Sequence, residues 1–301
     1  MRWTRGSRSR NLEDRRGQSR ARSGGGLGGR RVRVPIPRGR GGKLSLTSIL
    51  IMLALMWALG MDPMALLGSL GGGGLSAGVP PGAGFPQAAP TATNAREEEH
   101  VDFISFVLDD IQATWGELLP GYRDARLVLF RDVTRSGCGT GQREMGPFYC
   151  PADEKAYIDL AFYEDLRSRF GAPGDFAEAY VLAHEIGHHV QNITGMERQV
   201  REAQRTNSRD RNELSVRMEL QADCLAGVWG HEANRRGVLE PGDIEEGLRA
   251  AAAIGDDRIQ KMSGRGVHPE SWTHGSSAQR EEWLQRGLRS GDPDRCDTFG
   301  S

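Results

Sequence analysis

Three histidines and a glutamate fall within six positions of the stretch AHEIGHHVQN (183–192), as His184-Glu185-x-x-His188-His189. A four-residue separation places His184 and His188 on one face of a helix, about one turn apart. Both rings can then reach a single zinc ion at about 2.0–2.1 Å. Glu185 is rotated by about 100° from His184, which suits a general base beside a metal-activated water better than a third ligand. The competing reading is a polar helix face with satisfied histidines, and a third ligand decides between them. The pattern H-E-x-x-H-x-x-G-x-x-H fails, because Gln191 and Thr194 stand where its Gly and His are required. Thirty-one residues beyond His188, however, the chain reads Glu219-Leu220-Gln221-Ala222-Asp223. Glu219 completes a two-histidine, one-glutamate set with a fourth position left for water. Asp223, one turn on, can accept the free ring N–H of a ligand histidine and fix its tautomer. A solvated acidic helix face is the alternative. The apolar neighbours Leu220, Ala222, Leu225, Ala226, Val228 and Trp229 argue against it, since buried carboxylates without partners are costly.

These residues need two helices to carry them. Apolar spacing predicts one from about Phe176 to Thr194, stopped by Gly195, and a longer one over roughly 210–236. A helix ahead of them is read in EEEHVDFISFVLDDIQATWGELL, and two more near 243–262 and 276–290. ARLVLF (125–130) reads as a strand, and PFYC with AYIDLAF as a hairpin pair. The expected fold class is α+β: a mostly helical domain with a small β-sheet ahead of the histidine-bearing helix, preceded by one N-terminal transmembrane helix.

The net charge of −1 conceals an asymmetry, because residues 1–43 hold thirteen arginines and one lysine against Glu13 and Asp14 alone. The remainder carries 25 basic and 38 acidic side chains. Rich in Arg, Gly and Ser, residues 1–43 are expected to be a disordered tail. The run LSLTSILIMLALMWALG (44–60) is uncharged and meets the lower limit of about 17 residues for a span. The anchor is therefore placed at 44–62, followed by a Gly/Pro/Ala linker over 63–95 and the folded domain over 96–301. A cleaved signal peptide and a buried helix are the alternatives to an anchor. Basic residues on the N-terminal side put the tail in the cytoplasm and the domain outside it, periplasmic or extracellular. An Arg-rich tail also suits nucleic acid, but anchoring accounts for it and no nucleic-acid partner is expected. All four cysteines lie in the domain, which outside the cytoplasm favours two disulfides. Cys138 with Cys150 closes a short loop, leaving Cys224 with Cys296.

The segments HEIGHHVQN, ELQADCLAGVWG, GDDRIQ (255–260), THGSSAQR (273–280) and CDTF (296–299) resemble the bacterial neutral zinc metallopeptidase family, as does GPFYCPADEKAYIDL (146–160). The resemblance covers about 96–301 and leaves the tail outside. It implies a zincin-like metallopeptidase domain, with zinc on His184 and His188 and with Glu185 catalytic. As in zincins generally, the strand AYIDLAF before their helix is expected to be the edge that pairs with extended substrate backbone, and Glu219 follows the wider gluzincin pattern. One zinc ion per chain is expected, with a peptide or protein as substrate. For the oxyanion, His274 is the first candidate donor, with His268 and Tyr157 behind it; alternatively Thr273 and His274 only cap the helix starting near Ser276. His189 is read as a packing residue. The expected activity is that of a membrane-anchored zinc endopeptidase, and the competing account is a catalytically silent zinc-binding scaffold of the envelope.

Overall fold

A computed structural model describes residues 1–18, 95–264 and 266–300. The expected anchor at 44–62 and the linker up to residue 94 lie outside the described residues. Among the described residues, no helix is long and apolar enough to cross a membrane.

The first element is a surprise. Residues 1–18, expected as a disordered tail, fold with the domain, and Leu12–Asp14 form strand β1. Compositional disorder arguments count apolar area, and this segment is held instead by charge and by a sheet edge. It is followed by α1 (Ala95–Leu118), β2 (Arg126–Phe130), a hairpin of β3 (Val133–Ser136) and β4 (Gly139–Gln142), then β5 (Phe148–Cys150) and β6 (Lys155–Asp159). The helices α2 (Ala161–Ser168), α3 (Asp175–Ile193), α4 (Met196–Thr206), α5 (Arg211–Arg235), α6 (Asp243–Ala253), α7 (Asp256–Met262) and α8 (Ser277–Ser290) complete the order. The mostly helical α+β reading holds.

The main sheet runs β1-β2-β6-β5. Its first three strands are parallel, and β5 is antiparallel to β6 with Phe148 opposite Tyr157 and Cys150 opposite Lys155. The AYIDLAF strand therefore lies inside the sheet, with neighbours on both sides. The free edge nearer α3 is β5, and AYIDLAF ends early because α2 begins at Ala161. Period-two alternation marks a strand but does not reveal its rank in the sheet.

Helix α1 buries Val101, Ile104, Val107, Leu108, Ile111 and Trp115, the stripe its spacing predicts. Helix α3 begins after Gly174 (φ 133°) and stops at Gly195 (φ 83°), conformations that favour glycine. It crosses α5 closely: a Cβ on Gly187 would lie 3.0 Å from the Ala222 carbonyl oxygen. The helix expected over 243–262 is broken into α6 and α7 at Gly255, where a Cβ would sit 2.3 Å from the Ser277 nitrogen. Disulfides join Cys138 to Cys150 and Cys224 to Cys296. The first ties the β3–β4 hairpin to the free edge, and the second ties the C-terminal segment to α5.

Candidate metal centre

The Gly187–Ala222 crossing brings the inward faces of α3 and α5 together, and the ligand set forms there. His184 Nε2 lies 3.2 Å from Glu219 Oε2, and His188 Nε2 lies 3.5 Å from Glu219 Oε1. Ligand atoms of all three residues fall within 4.8 Å of one another. Tetrahedral zinc with bonds of about 2.0–2.1 Å separates its ligand atoms by about 3.3 Å. The observed spacings bracket that value, so the residues fit the ion.

The rings are oriented from behind. His184 Nδ1 donates to Asp223 Oδ1 at 2.8 Å, and His188 Nδ1 donates to Gln191 Oε1 at 2.8 Å. Each bond commits Nδ1 to a proton and leaves Nε2 free to face the ion. Gln191 is itself held, donating to Met218 O at 2.7 Å and Gln221 Oε1 at 3.0 Å. Asp223 is fully buried and takes three further hydrogen bonds. Tyr180 Oη donates to Oδ1 at 2.6 Å, while Arg280 donates through Nε to Oδ2 at 2.8 Å and through Nη2 to Oδ1 at 2.9 Å. Arg280 comes from α8 and is itself 2% exposed. Its reach depends on backbone-to-backbone packing of α8 on α5, where a Cβ at Gly287 would lie 2.0 Å from the Cys224 carbonyl oxygen. Gln191, Tyr180 and Arg280 were not singled out by sequence reasoning. Gln191 had a readable signal, three residues after His188 on the same helix. Arg280 had none, being 57 residues from its partner.

As side chains alone, the set is strongly coupled. Burial resists charging of His184, but Asp223 and Glu219 outweigh it and raise the imidazole to about 10. Burial likewise opposes His188, and Glu219 raises it. Against burial, His188 and His184 hold Glu219 well below the usual carboxylate range, and Arg280 and His184 hold Asp223 down to about 2. Glu185 departs in the other direction: burial pushes its carboxyl up, with the two histidines opposing. Glu185 lies on the wall of a cleft that the ligand triangle shares.

That cleft measures about 900 Å³, and its walls include His184, Glu185, His188, Glu219, Tyr149 and His274. His274 is therefore brought to the site. Its Nδ1 lies 3.2 Å from Asp256 Oδ1, and this hydrogen bond is the largest cause of its raised pKa. Asp256 Oδ2 also accepts the backbone N–H groups of Thr273, His274 and Gly275. Capping of α8 falls to Ser276 and Gln279 in a reciprocal capping box, not to Thr273 or His274. The weaker candidates are not brought in. His268 is exposed and pairs with Glu270. Tyr157 is buried in the sheet, donating to Asp153 Oδ2 at 2.6 Å. His189, also buried, contacts Tyr149 Oη through Nδ1 at 2.9 Å and donates from Nε2 to the Arg123 carbonyl at 2.6 Å. It braces the free strand against α3.

A helix bearing two histidines is crossed by a second bearing a glutamate backed by an aspartate, and the three side chains could hold a metal ion between them. The family described as "Putative neutral zinc metallopeptidase" matches residues 1–299, so the chain belongs to that family and the match includes the N-terminal segment. Among its relatives is the "Uncharacterized protein YpfJ" of Escherichia coli (strain K12), 46% identical over 305 residues, covering 100% of this chain and 99% of the relative. The "Uncharacterized protein Rv2575" of Mycobacterium tuberculosis (strain ATCC 25618 / H37Rv) is 46% identical over 204 residues, covering 64% of this chain and 68% of the relative. No solved structure matches the chain.

Proposed function

We propose that the protein is a zinc-dependent endopeptidase holding one ion per chain. The carrying observation is the triangle of His184, His188 and Glu219 at ligand spacing, with the buried Glu185 beside it on an open cleft. His184, His188 and Glu219 would hold a zinc ion, which would supply a Lewis acid for the scissile carbonyl and for a water. Glu185 would take the proton of the attacking water and pass it to the leaving amine. His274 lines the same cleft with its Nδ1 hydrogen-bonded to Asp256, and it is our candidate donor to the oxyanion. Peptide rather than a smaller amide is favoured by the free edge of β5, where Phe148 and Tyr149 reach the cleft wall and a substrate strand can add to the sheet. Two disulfides favour an oxidising compartment outside the cytoplasm, and the apolar run 44–60 favours membrane attachment.

A silent scaffold would need the ion but not Glu185, so that residue separates the two accounts. Hydrolysis of a mixed peptide library is measured for the wild-type chain, the chelated chain and Glu185→Gln, with metal content determined in parallel. Cleavage by the wild type alone, with zinc retained in Glu185→Gln, is the expected result. Equal cleavage by all three samples, or a wild type free of zinc after growth in zinc-replete medium, defeats the proposal.

A further inference from the structure

The N-terminal arm is built into the catalytic unit along its whole described length. Strand β1 pairs in parallel with β2, Leu12 opposite Leu127 and Asp14 opposite Leu129. The pairing is completed by Leu127 N to Asn11 O at 2.9 Å and Arg15 N to Leu129 O at 2.8 Å. Ser9 is buried against α1, its amide donating to Ser105 Oγ and its hydroxyl to Asp109 Oδ1, both at 2.6 Å. Arg16 has a side chain only 2% exposed and bonds Asp14, Glu97 and Glu98 at once. Arg8 pairs with Glu98 and Asp102, and Lys155 of β6 reaches Glu13 at 2.9 Å. The basic arm and the acidic body are thus two halves of one interface. Their opposite charges require no different surroundings.

Docking has a consequence for topology. The apolar run 44–60 stands in the sequence between β1 and β2, which are neighbours in one sheet. A single crossing at that run would put β1 and β2 on opposite sides of a bilayer. Undocking would strip β2 of one of its two strand partners and take Arg16 away from Glu97 and Glu98. We infer that the arm and the catalytic unit occupy the same compartment, so that the run 44–60 does not carry the chain from one side of a membrane to the other. The tail-inside, domain-outside arrangement of a single-pass anchor is thereby replaced. The inference is independent of the hydrolase reading, since an inactive chain has the same topology.

The test is paired labelling of the full chain in intact cells with a membrane-impermeant maleimide. The four native cysteines are all in disulfides, so single reporters serve: Arg10→Cys in the arm, whose side chain is 89% exposed, and Glu281→Cys on the exposed face of α8. Both reporters should behave alike, either labelling in intact cells or requiring permeabilisation. One labelled and one protected overturns the inference. Hydrogen exchange on the membrane-isolated chain checks docking itself. Amides of 12–15 should be as protected as those of β2, and exchange at the rate of a free peptide overturns the inference as well. A charge swap adds a third reading: Glu13→Lys should raise proteolysis of the arm severalfold, and adding Lys155→Glu should restore protection. Failure of the swap to restore it counts against the docked register.

Discussion

Arg280 and Gln191 hold the two histidines, Arg280 indirectly through Asp223 behind His184 and Gln191 directly through its bond to His188. Asp223 is a fully buried carboxylate whose charge is balanced by His184 and by a two-pronged Arg280. Removing one partner of such a pair leaves the other charged and desolvated, at a cost of about 3–5 kcal/mol. Arg280→Met should therefore lower stability by about that amount, measured by urea unfolding with chelator present so that metal binding does not contribute. A loss below about 1 kcal/mol would show that Tyr180 and His184 suffice for Asp223. Asp223→Asn keeps the shape and removes the charge. It should weaken zinc affinity by about 10–100-fold, read by competition with a chromophoric chelator, and unchanged affinity would deny Asp223 its orienting role. At this scale the sequence was informative where side chains share a helix face: His184 with His188, and Glu219 with Asp223, are brought together as their spacing predicts. Arg280 was illegible because nothing local marks an arginine whose partner lies on another helix.

Helices α3, α5 and α8 are held at their crossings by glycines. A Cβ at Gly287 would meet the Cys224 carbonyl at 2.0 Å and the Val228 nitrogen at 2.8 Å, both backbone atoms that cannot rotate away. Ordinarily Gly→Ala in a helix gains about 0.5–1 kcal/mol. At Gly287 overpacking opposes that gain, at about 1–3 kcal/mol or more. Gly287→Ala should be net destabilising, whereas Gly116→Ala on α1, where a Cβ meets nothing within 4 Å, should stabilise slightly. Denaturation midpoints of the two variants with unchanged m values test the contrast, and a shift of the same sign in both would refute it. The same kind of contact explains two features of the elements that periodicity did not disclose. Gly255 divides α6 from α7 because α8 passes too close for any side chain. The two aspartates after it then anchor the following loop, Asp256 holding Thr273–Gly275 and Asp257 accepting from the Ser277 amide at 2.8 Å. Rank within a sheet is likewise a tertiary property, which is why β6 read as an edge and β5 proved to be one.

At the scale of the whole molecule, the arm closes the sheet with ion pairs, and that choice makes its docking sensitive to acid. The Arg15 hydrogen bond, with Lys155 beside it, lowers Glu13 to about 2. Burial works against ionisation of Asp14, yet Arg16 lowers it, and Glu97 is lowered against burial by Arg131 and Arg16. A carboxylate depressed in the folded state contributes stability that is complete above its unfolded pKa of about 4.3 and is lost as pH falls through the folded value. Arm docking should accordingly be constant from neutral pH down to about 5 and weaken progressively from there towards about 2. Acid also weakens the body, since Asp223 and Glu219 are depressed too, so the reading must compare two regions of one chain. Hydrogen exchange of residues 12–15 should accelerate at a higher pH than exchange in α1, whose core is apolar. Glu13→Gln removes the most depressed of the arm's own carboxylates and should flatten that dependence while weakening docking at neutral pH. Simultaneous release of arm and α1, with the same midpoint in Glu13→Gln, would mean that apolar contacts such as Trp3 on Phe103, with ring centroids 5.6 Å apart, hold the arm instead of its charges.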